Sequence, residues 1–489
     1  MAGSGRGCVP LLPIMRSQEA RAPAGATPTL RLPFDFCAAH SEEDVMRSIN
    51  RRAFLHQAVG AMAGGATMGS MALSYGRIIG ANDRISLAHV GIGNRGRGLE
   101  YILSLVKDKM NVEVTTVCDL WKVNREHAAS MGEKTYGRAP RTFVDLEEML
   151  ALKDIDAVII STPEHQHSPM LKMVAEADKH AYVEKPMGNV IEEAKAARDA
   201  VLARNLIVQV GTQRRSEPYQ VAAREWFKQG VTGDVSKIEI VWDYHGPRWR
   251  GRPEVKQIRE EDTDWKKWLM TKPYRPFDPQ LYFEYRLYKE FSSGIVDQWM
   301  SHAIDMVHWF MDEHFPVSVD SNGGVFAWHD GRQNPDTFQT VLTYPKGFLV
   351  SYATSFGNDY LSFFRIMGKK GTLINFGPEG TPRWKWVEEK GDAEETADIQ
   401  HEEKWLSLAG DGGRGPGLTP DEDTSHMTNW LEALRASKQP SAPVQAGYAH
   451  SVACIMAARA YWEGKRMYWN RENETILDQP PSSPAKLGS

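Results

Sequence analysis

The chain has 489 residues, four of them cysteine, and its acidic and basic side chains nearly balance at a net charge of −5. That length holds two or three domains, and an even charge without a long basic run argues against nucleic acid as a partner. The cysteines are too far apart for a disulfide framework or a metal site, so Cys118 and Cys454 read as buried core thiols.

Residues 1–45 are rich in Pro, Ala and Arg without periodicity, which suits an over-extended start or a disordered leader ahead of Met46. Residues 46–81 carry Asn50-Arg51-Arg52-Ala53-Phe54-Leu55 and then a mildly apolar stretch from Ala58 to Leu73, a pattern similar to a twin-arginine export signal. Gly60, Gly64, Gly65 and Gly69 interrupt that stretch, which falls short of the ~20 strongly apolar residues of a membrane span. The expectation is a periplasmic protein delivered by the twin-arginine machinery, with its signal cleaved or retained.

Residues 82–210 alternate short apolar runs with amphipathic stretches. Strands are expected at Ile85 to Val90, Val112 to Cys118, Ala157 to Ile160, His180 to Val183 and Leu206 to Val210. Helices are expected at Arg97 to Val106, Asn124 to Met131, Leu146 to Leu152, Pro169 to Ala177 and Ile191 to Ala203. Strand–helix alternation implies a doubly wound parallel sheet of the Rossmann type. Its first turn holds Gly91, Gly93 and Gly96 between strand and helix, where Gly91 allows the tight turn, Gly93 the approach of a pyrophosphate and Gly96 close helix–strand packing. Asp119 closes the second strand 23 residues beyond Gly96, in place to accept from ribose hydroxyls or to start the next helix. An acid there favours NAD, while Arg95 and Arg97 keep NADP open.

Residues 211–478 change character. The stretches at Lys237 to Tyr244, Val317 to Trp328, Thr337 to Tyr344, Phe348 to Ser355 and Ser362 to Met367 read as strands with few helices between them, giving an α+β domain on a large, mostly antiparallel sheet. Glu379 to Pro420 reads as a long surface loop, helices return at Ser425 to Ala436 and Ala449 to Tyr461, and residues 479–489 form a tail.

Glu184-Lys185-Pro186 ends the fourth parallel strand, where a doubly wound sheet opens onto its ligand crevice. Proline confines Lys185 to an extended conformation, and the Lys185–Pro186 bond is a candidate for the cis form. An ammonium held there can stabilise a developing alkoxide; alone it reads equally as a surface charge. His302 lies on a helix following Ser292-Ser293-Gly294, one turn from Gln298 and beside Asp305, and is a candidate proton acceptor or a satisfied structural histidine. Glu164-His165-Gln166-His167 lacks a third ligand for a metal, and none is expected; the cluster reads instead as lining the cofactor crevice after the third parallel strand.

Together Val90 to Gly96, Ser161-Thr162-Pro163 to His167, Glu184-Lys185-Pro186, Gly211-Thr212-Gln213-Arg214-Arg215 and the helix around His302 resemble the Gfo/Idh/MocA oxidoreductases over about Asn82 to Asp478. The resemblance implies a Rossmann domain, a C-terminal domain whose open sheet supports the site and mediates homo-oligomers, and hydride exchange between a nicotinamide and a sugar, cyclitol or related polyol. It implies catalytic roles for Lys185 and His302. It implies cofactor contacts at Gly91, Ile92, Gly93, Asn94, Arg95, Gly96, Asp119, Thr162, Pro163, His167, Glu184, Lys185 and Gln213, and substrate contacts at Gln298, Asp305 and Arg215. One position departs: the family's aspartate four residues before the histidine is Gln298 here, with Asp297 one place earlier, so either a helix irregularity brings Asp297 inward or the proton relay is altered. Three functions follow: an NAD(P)-dependent sugar oxidoreductase; a redox-neutral glycosidase or epimerase on bound NAD; and a non-catalytic sugar or nucleotide sensor. Because twin-arginine substrates cross the membrane folded, a cofactor loaded before export and retained is expected.

Overall fold

The computed structural model describes residues 84–360, 362–376, 383–390, 403–406 and 422–481. The expected leader, the expected twin-arginine segment and most of the expected tail lie outside these.

The first sheet is built from β1 (Ile85–Val90), β2 (Val112–Cys118), β3 (Arg141–Phe143), β4 (Ala157–Ile160), β5 (His180–Val183) and β6 (Val208–Val210). All pairings are parallel and the order is β3-β2-β1-β4-β5-β6, so the order reverses between β1 and β4. β4 is buried along its whole length, as a parallel strand covered on both faces should be. The crossovers run through α1 (Asn94–Met110), α2 (Lys122–Tyr136), α3 (Leu146–Leu150), α4 (Glu164–Glu176) and α5 (Ile191–Ala203). Four of the expected strands match residue for residue. The short edge strand β3 was not expected, because Arg141 and Thr142 are exposed and carry no apolar signal.

After α6 (Pro218–Lys228) the second sheet collects β7 (Val235–Val241), β9 (Ser318–Gly324), β10 (Thr337–Tyr344), β11 (Phe348–Ser355), β13 (Phe363–Gly368), β14 (Gly371–Phe376), β15 (Arg383–Glu388), β16 (Glu403–Trp405), β17 (Met467–Asn470) and β18 (Thr475–Leu477). Its order is β16-β15-β14-β13-β7-β11-β10-β9-β17-β18; β7 and β11 pair parallel, the other neighbours antiparallel. β8 (Tyr244–His245) and β12 (Gly357–Asn358) form a separate ribbon. The expected loop from Glu379 to Pro420 is therefore partly sheet, since β15 and β16 fall within it.

Two small helices, α7 (Trp265–Leu269) and α8 (Pro279–Glu284), sit in an aromatic cluster with Trp121, Tyr285 and Phe291. One face of the large sheet is covered by α9 (Ser301–Met311) and α11 (Val444–Glu463), whose buried residues join a core shared with α5 and β6. α10 (Glu422–Ala436) crosses the expected boundary at 210: it packs on α1, and Met427, Trp430, Leu431 and Leu434 are buried in the core beneath the first sheet. The nucleotide-binding domain is thus built from two separated stretches of chain.

Candidate active site

The C-terminal ends of β1, β2, β4 and β5 open onto a cleft of ≈ 1530 Å³. Gly91 adopts φ +86°, and a Cβ there would stand 2.8 Å from Thr162 N. A Cβ on Gly96 would reach 2.1 Å from the Gly91 carbonyl, so any larger residue would push α1 off β1. A Cβ on Gly93 meets nothing within 4 Å, leaving open space where the chain faces the cleft. α1 begins here with no side-chain cap and no acid in its first turn, so its N–H groups and the positive end of its dipole suit a pyrophosphate.

Asp119 is buried and accepts from Ile92 N at 2.6 Å, Trp121 N at 2.8 Å and Asn124 Nδ2 at 3.1 Å. Burial raises its pKa against these three donors. The carboxylate therefore ties the glycine turn to the start of α2, and since it offers about four acceptor positions one remains for a ribose hydroxyl. Of the arginines that left NADP open, Arg95 is engaged: Nε donates to Glu184 at 2.6 Å and the terminal nitrogens to Asp423 at 2.9 and 2.7 Å. Arg97 donates to Asn124 at 3.1 Å. Asn94, Thr162, Pro163, His167, Glu184 and Gln213 all line the cleft; Ile92 is buried behind the turn. His167 places its two ring nitrogens 2.7 Å from the carbonyls of Pro186 and Thr162, fixing the loops after β4 and β5 against each other.

Beyond the glycine turn, Lys185, Gln298 and His302 line the same cleft. The Lys185–Pro186 bond is cis. Lys185 Nζ donates to the Gln298 carbonyl at 2.6 Å. Burial lowers its pKa to about 8, with Arg286 and Arg95 adding to the effect and Glu184 and Glu164 opposing it. His302 is held neutral, its pKa well below the ordinary range through burial and the nearby cations of Lys185, Arg214 and Arg95.

The irregularity anticipated before His302 is present: Val296–Met300 forms a single π-helical turn leading into α9. Such turns insert one residue into a helix. Asp297 is fully buried under it, accepts from Ser293 N at 2.6 Å, and is pushed up to about pH 7, chiefly by burial. It does not line the cleft. The side chain of Gln298 donates instead to Glu164, which also accepts from Arg286 at 2.9 Å. Glu164 belongs to the stretch expected to line the crevice but had no role of its own assigned, and Arg286 was not among the expected site residues. Glu164 Oε2, Asp297 Oδ1 and His302 Nδ1 are buried without a hydrogen-bond partner among the described residues, and buried polar atoms of this kind ordinarily have one.

Two expected substrate contacts are corrected. Arg215 and Asp305 do not line the cleft: they pair with each other through two bonds of 2.7 and 2.9 Å and are buried, with His450 3.9 Å from the carboxylate. A two-point pair inside a core positions elements, and the remaining Arg215 nitrogen turns to the Ser441 carbonyl at 3.4 Å. His165 is likewise structural, bonded to the Trp268 carbonyl at 2.9 Å. Among the described residues no cluster of His, Cys, Asp and Glu could hold a metal, and both described cysteines are free and buried.

Residues 85–212 match the family model for the Gfo/Idh/MocA NAD-binding Rossmann fold, and residues 270–468 match that family's C-terminal alpha/beta domain. A glycosyl hydrolase family 109 protein of Shewanella baltica is 28% identical over 250 residues, 46% of this chain and 52% of that protein. An alpha-N-acetylgalactosaminidase of Shewanella oneidensis is 26% identical with the same coverage, so the chain spans about half the length of the curated relatives it matches. Levoglucosan dehydrogenase, solved with NADH and levoglucosan, superposes with a TM-score of 0.58 at 18% identity, covering 82% of this chain and all of that one. The WlbA dehydrogenase of Bordetella pertussis, solved with NADH and UDP-GlcNAcA, gives 0.57 at 19% identity, covering 79% of this chain and 99% of its own. With both family domains matched in order, and the glycine turn and α1 shaped for a dinucleotide, the chain belongs to the Gfo/Idh/MocA family of NAD-binding oxidoreductases.

Proposed function

We propose that the protein is an exported oxidoreductase that oxidises a CH–OH group of a sugar, cyclitol or sugar derivative, with its dinucleotide retained between turnovers. The observation that carries this reading is Lys185 and His302 lining one cleft with the glycine turn, among buried polar atoms that lack partners among the described residues. The glycine turn, the α1 N-terminus and Asp119 would hold NAD, which supplies the two-electron acceptor. Lys185 donates to the substrate oxygen and stabilises the negative charge that develops on it. His302, kept neutral by its surroundings, takes the hydroxyl proton. Glu164 and Arg286 orient Gln298, whose carbonyl in turn holds the Lys185 ammonium. The twin-arginine pattern at Arg51 and Arg52 supports export. The outer face of the large sheet, where Val341 and Leu349 are exposed, supports a homo-oligomer.

A redox-neutral glycosidase is the second reading, favoured by the similarity to an alpha-N-acetylgalactosaminidase. Purified protein is incubated with free sugars and with aryl glycosides while NADH absorbance and released sugar are followed together. Oxidation of a free sugar with NADH formation supports the first reading. Released sugar without net NADH selects the second, and silence across the panel with retained dinucleotide leaves a sensor.

A further inference from the structure

We propose that the substrate carries an anionic group, a carboxylate or a phosphate ester, and that Arg214 and Arg248 recognise it. This rests on the sugar-oxidoreductase reading for its chemistry but on different residues.

Arg214 follows β6 in a short helical turn, and Arg248 follows β8; both line the cleft. Trp242 and Trp299 stack with ring centroids 5.3 Å apart and planes 12° from parallel. The Arg214 guanidinium lies 4.6 Å from the Trp242 ring, and that of Arg248 lies 5.4 Å from Trp299 and 5.0 Å from Tyr244. The aromatic pair links both arginines to the reaction centre, since Trp299 adjoins Gln298 in the π turn and the Trp242 ring is 6.1 Å from that of His302. A guanidinium laid on a ring is held in place while its N–H groups still point outward in its own plane, free to form a fork on a carboxylate or phosphate.

Neighbouring acids do not use those donors. Glu284 is held by Arg250 at 2.6 Å, Glu254 by Arg252 at 2.6 Å, and Glu164 by Arg286 at 2.9 Å. Burial raises the pKa of Glu217, with Arg214 only opposing it, and that carboxylate caps α6, accepting from Tyr219 N at 3.0 Å and Gln220 N at 2.9 Å. Among the described residues neither Arg214 nor Arg248 has a carboxylate within ion-pair distance, whereas Arg250, Arg252 and Arg286 around them each have one. Two half-buried cations, fixed by aromatic rings and unpaired at the substrate end of a cleft, fit an anionic ligand better than a neutral one.

Wild type, Arg214→Gln and Arg248→Gln, with Arg214→Lys as a charge-conserving control, are compared on glucose, glucuronate and a glucose phosphate ester. Binding is read by isothermal titration calorimetry of the NAD-loaded protein, and turnover from NADH. In the wild type the charged sugars are expected to bind at least about 10-fold more tightly than glucose, and each glutamine substitution to shrink that preference about 10-fold. Arg214→Lys should recover part of it, and added salt should weaken the charged sugars selectively. Preference for glucuronate over the phosphate ester, or the reverse, names the anion. Equal affinity for charged and neutral sugars, or a preference unchanged by either glutamine, overturns the inference even if neutral sugars are oxidised. Arginine-dependent binding of charged sugars without any NADH formation instead sinks the oxidoreductase reading and leaves the anion site standing.

Discussion

Lys185 keeps its charge against its surroundings. Its pKa is lowered to about 8, first by burial, so the ammonium is present below that pH and is lost above it. If the ammonium stabilises the reacting oxygen, kcat/KM is expected to fall as pH rises through about 8, with no histidine inflection near neutrality because His302 titrates far lower. Lys185→Ala should remove that limb and lower kcat by about 10²- to 10³-fold, with far less change in dinucleotide affinity; a profile unaltered by the substitution would place the limb elsewhere. Asp297 makes the opposite kind of statement. Its carboxyl titrates near pH 7 when folded against an ordinary 3.8, so it ionises more readily in the unfolded chain. Its contribution to stability is whole below about 3.8 and is lost as pH rises through about 7. Asp297→Asn should therefore melt higher than wild type at about pH 8, the gap closing toward about pH 4, and a calorimetric melting series at both ends would show it.

The glycine turn separates fold from ligand within one element. Gly93→Ala adds a methyl group to open space at φ −75°, so the melting temperature should stay put while dinucleotide affinity falls about 10-fold or more as the pyrophosphate loses room. Gly96→Ala places its methyl against the Gly91 carbonyl and should destabilise the fold by about 1–3 kcal/mol; urea titration with a fluorescent nucleotide distinguishes the two. This turn was legible in the sequence because the pattern states a steric rule directly. The buried strands β1, β2, β4 and β5 and the periodic helix α5 were legible for the same reason. β15 was not, although Arg383-Trp384-Lys385-Trp386 alternates, because a charged, glycine-rich stretch around it outweighed four residues of pattern. The π turn left a trace only as a shifted aspartate. The pairs Arg215–Asp305 and Glu164–Arg286 join positions 90 and 122 apart, a proximity that depends on the folded chain rather than on local spacing.

Across the whole molecule, α10 closes the nucleotide-binding domain from the far side of the sequence. Trp430 is fully buried, its ring 5.6 Å from Tyr182 on β5, and Asp423 at the head of the helix clasps Arg95 in the first turn of α1. Trp430→Ala should cost about 3–5 kcal/mol and release the dinucleotide along with the lost stability, measurable as nucleotide freed during a thermal ramp; loss of stability with the nucleotide still held would separate the two. The return of α10 also orders events during biosynthesis. A ribosome completes β1 to β16 before it makes the helix that seals the floor of the first domain, and β17 and β18 of the large sheet follow it. The first domain therefore stays open on that side, and its hold on a nucleotide incomplete, until α10 is made after β16.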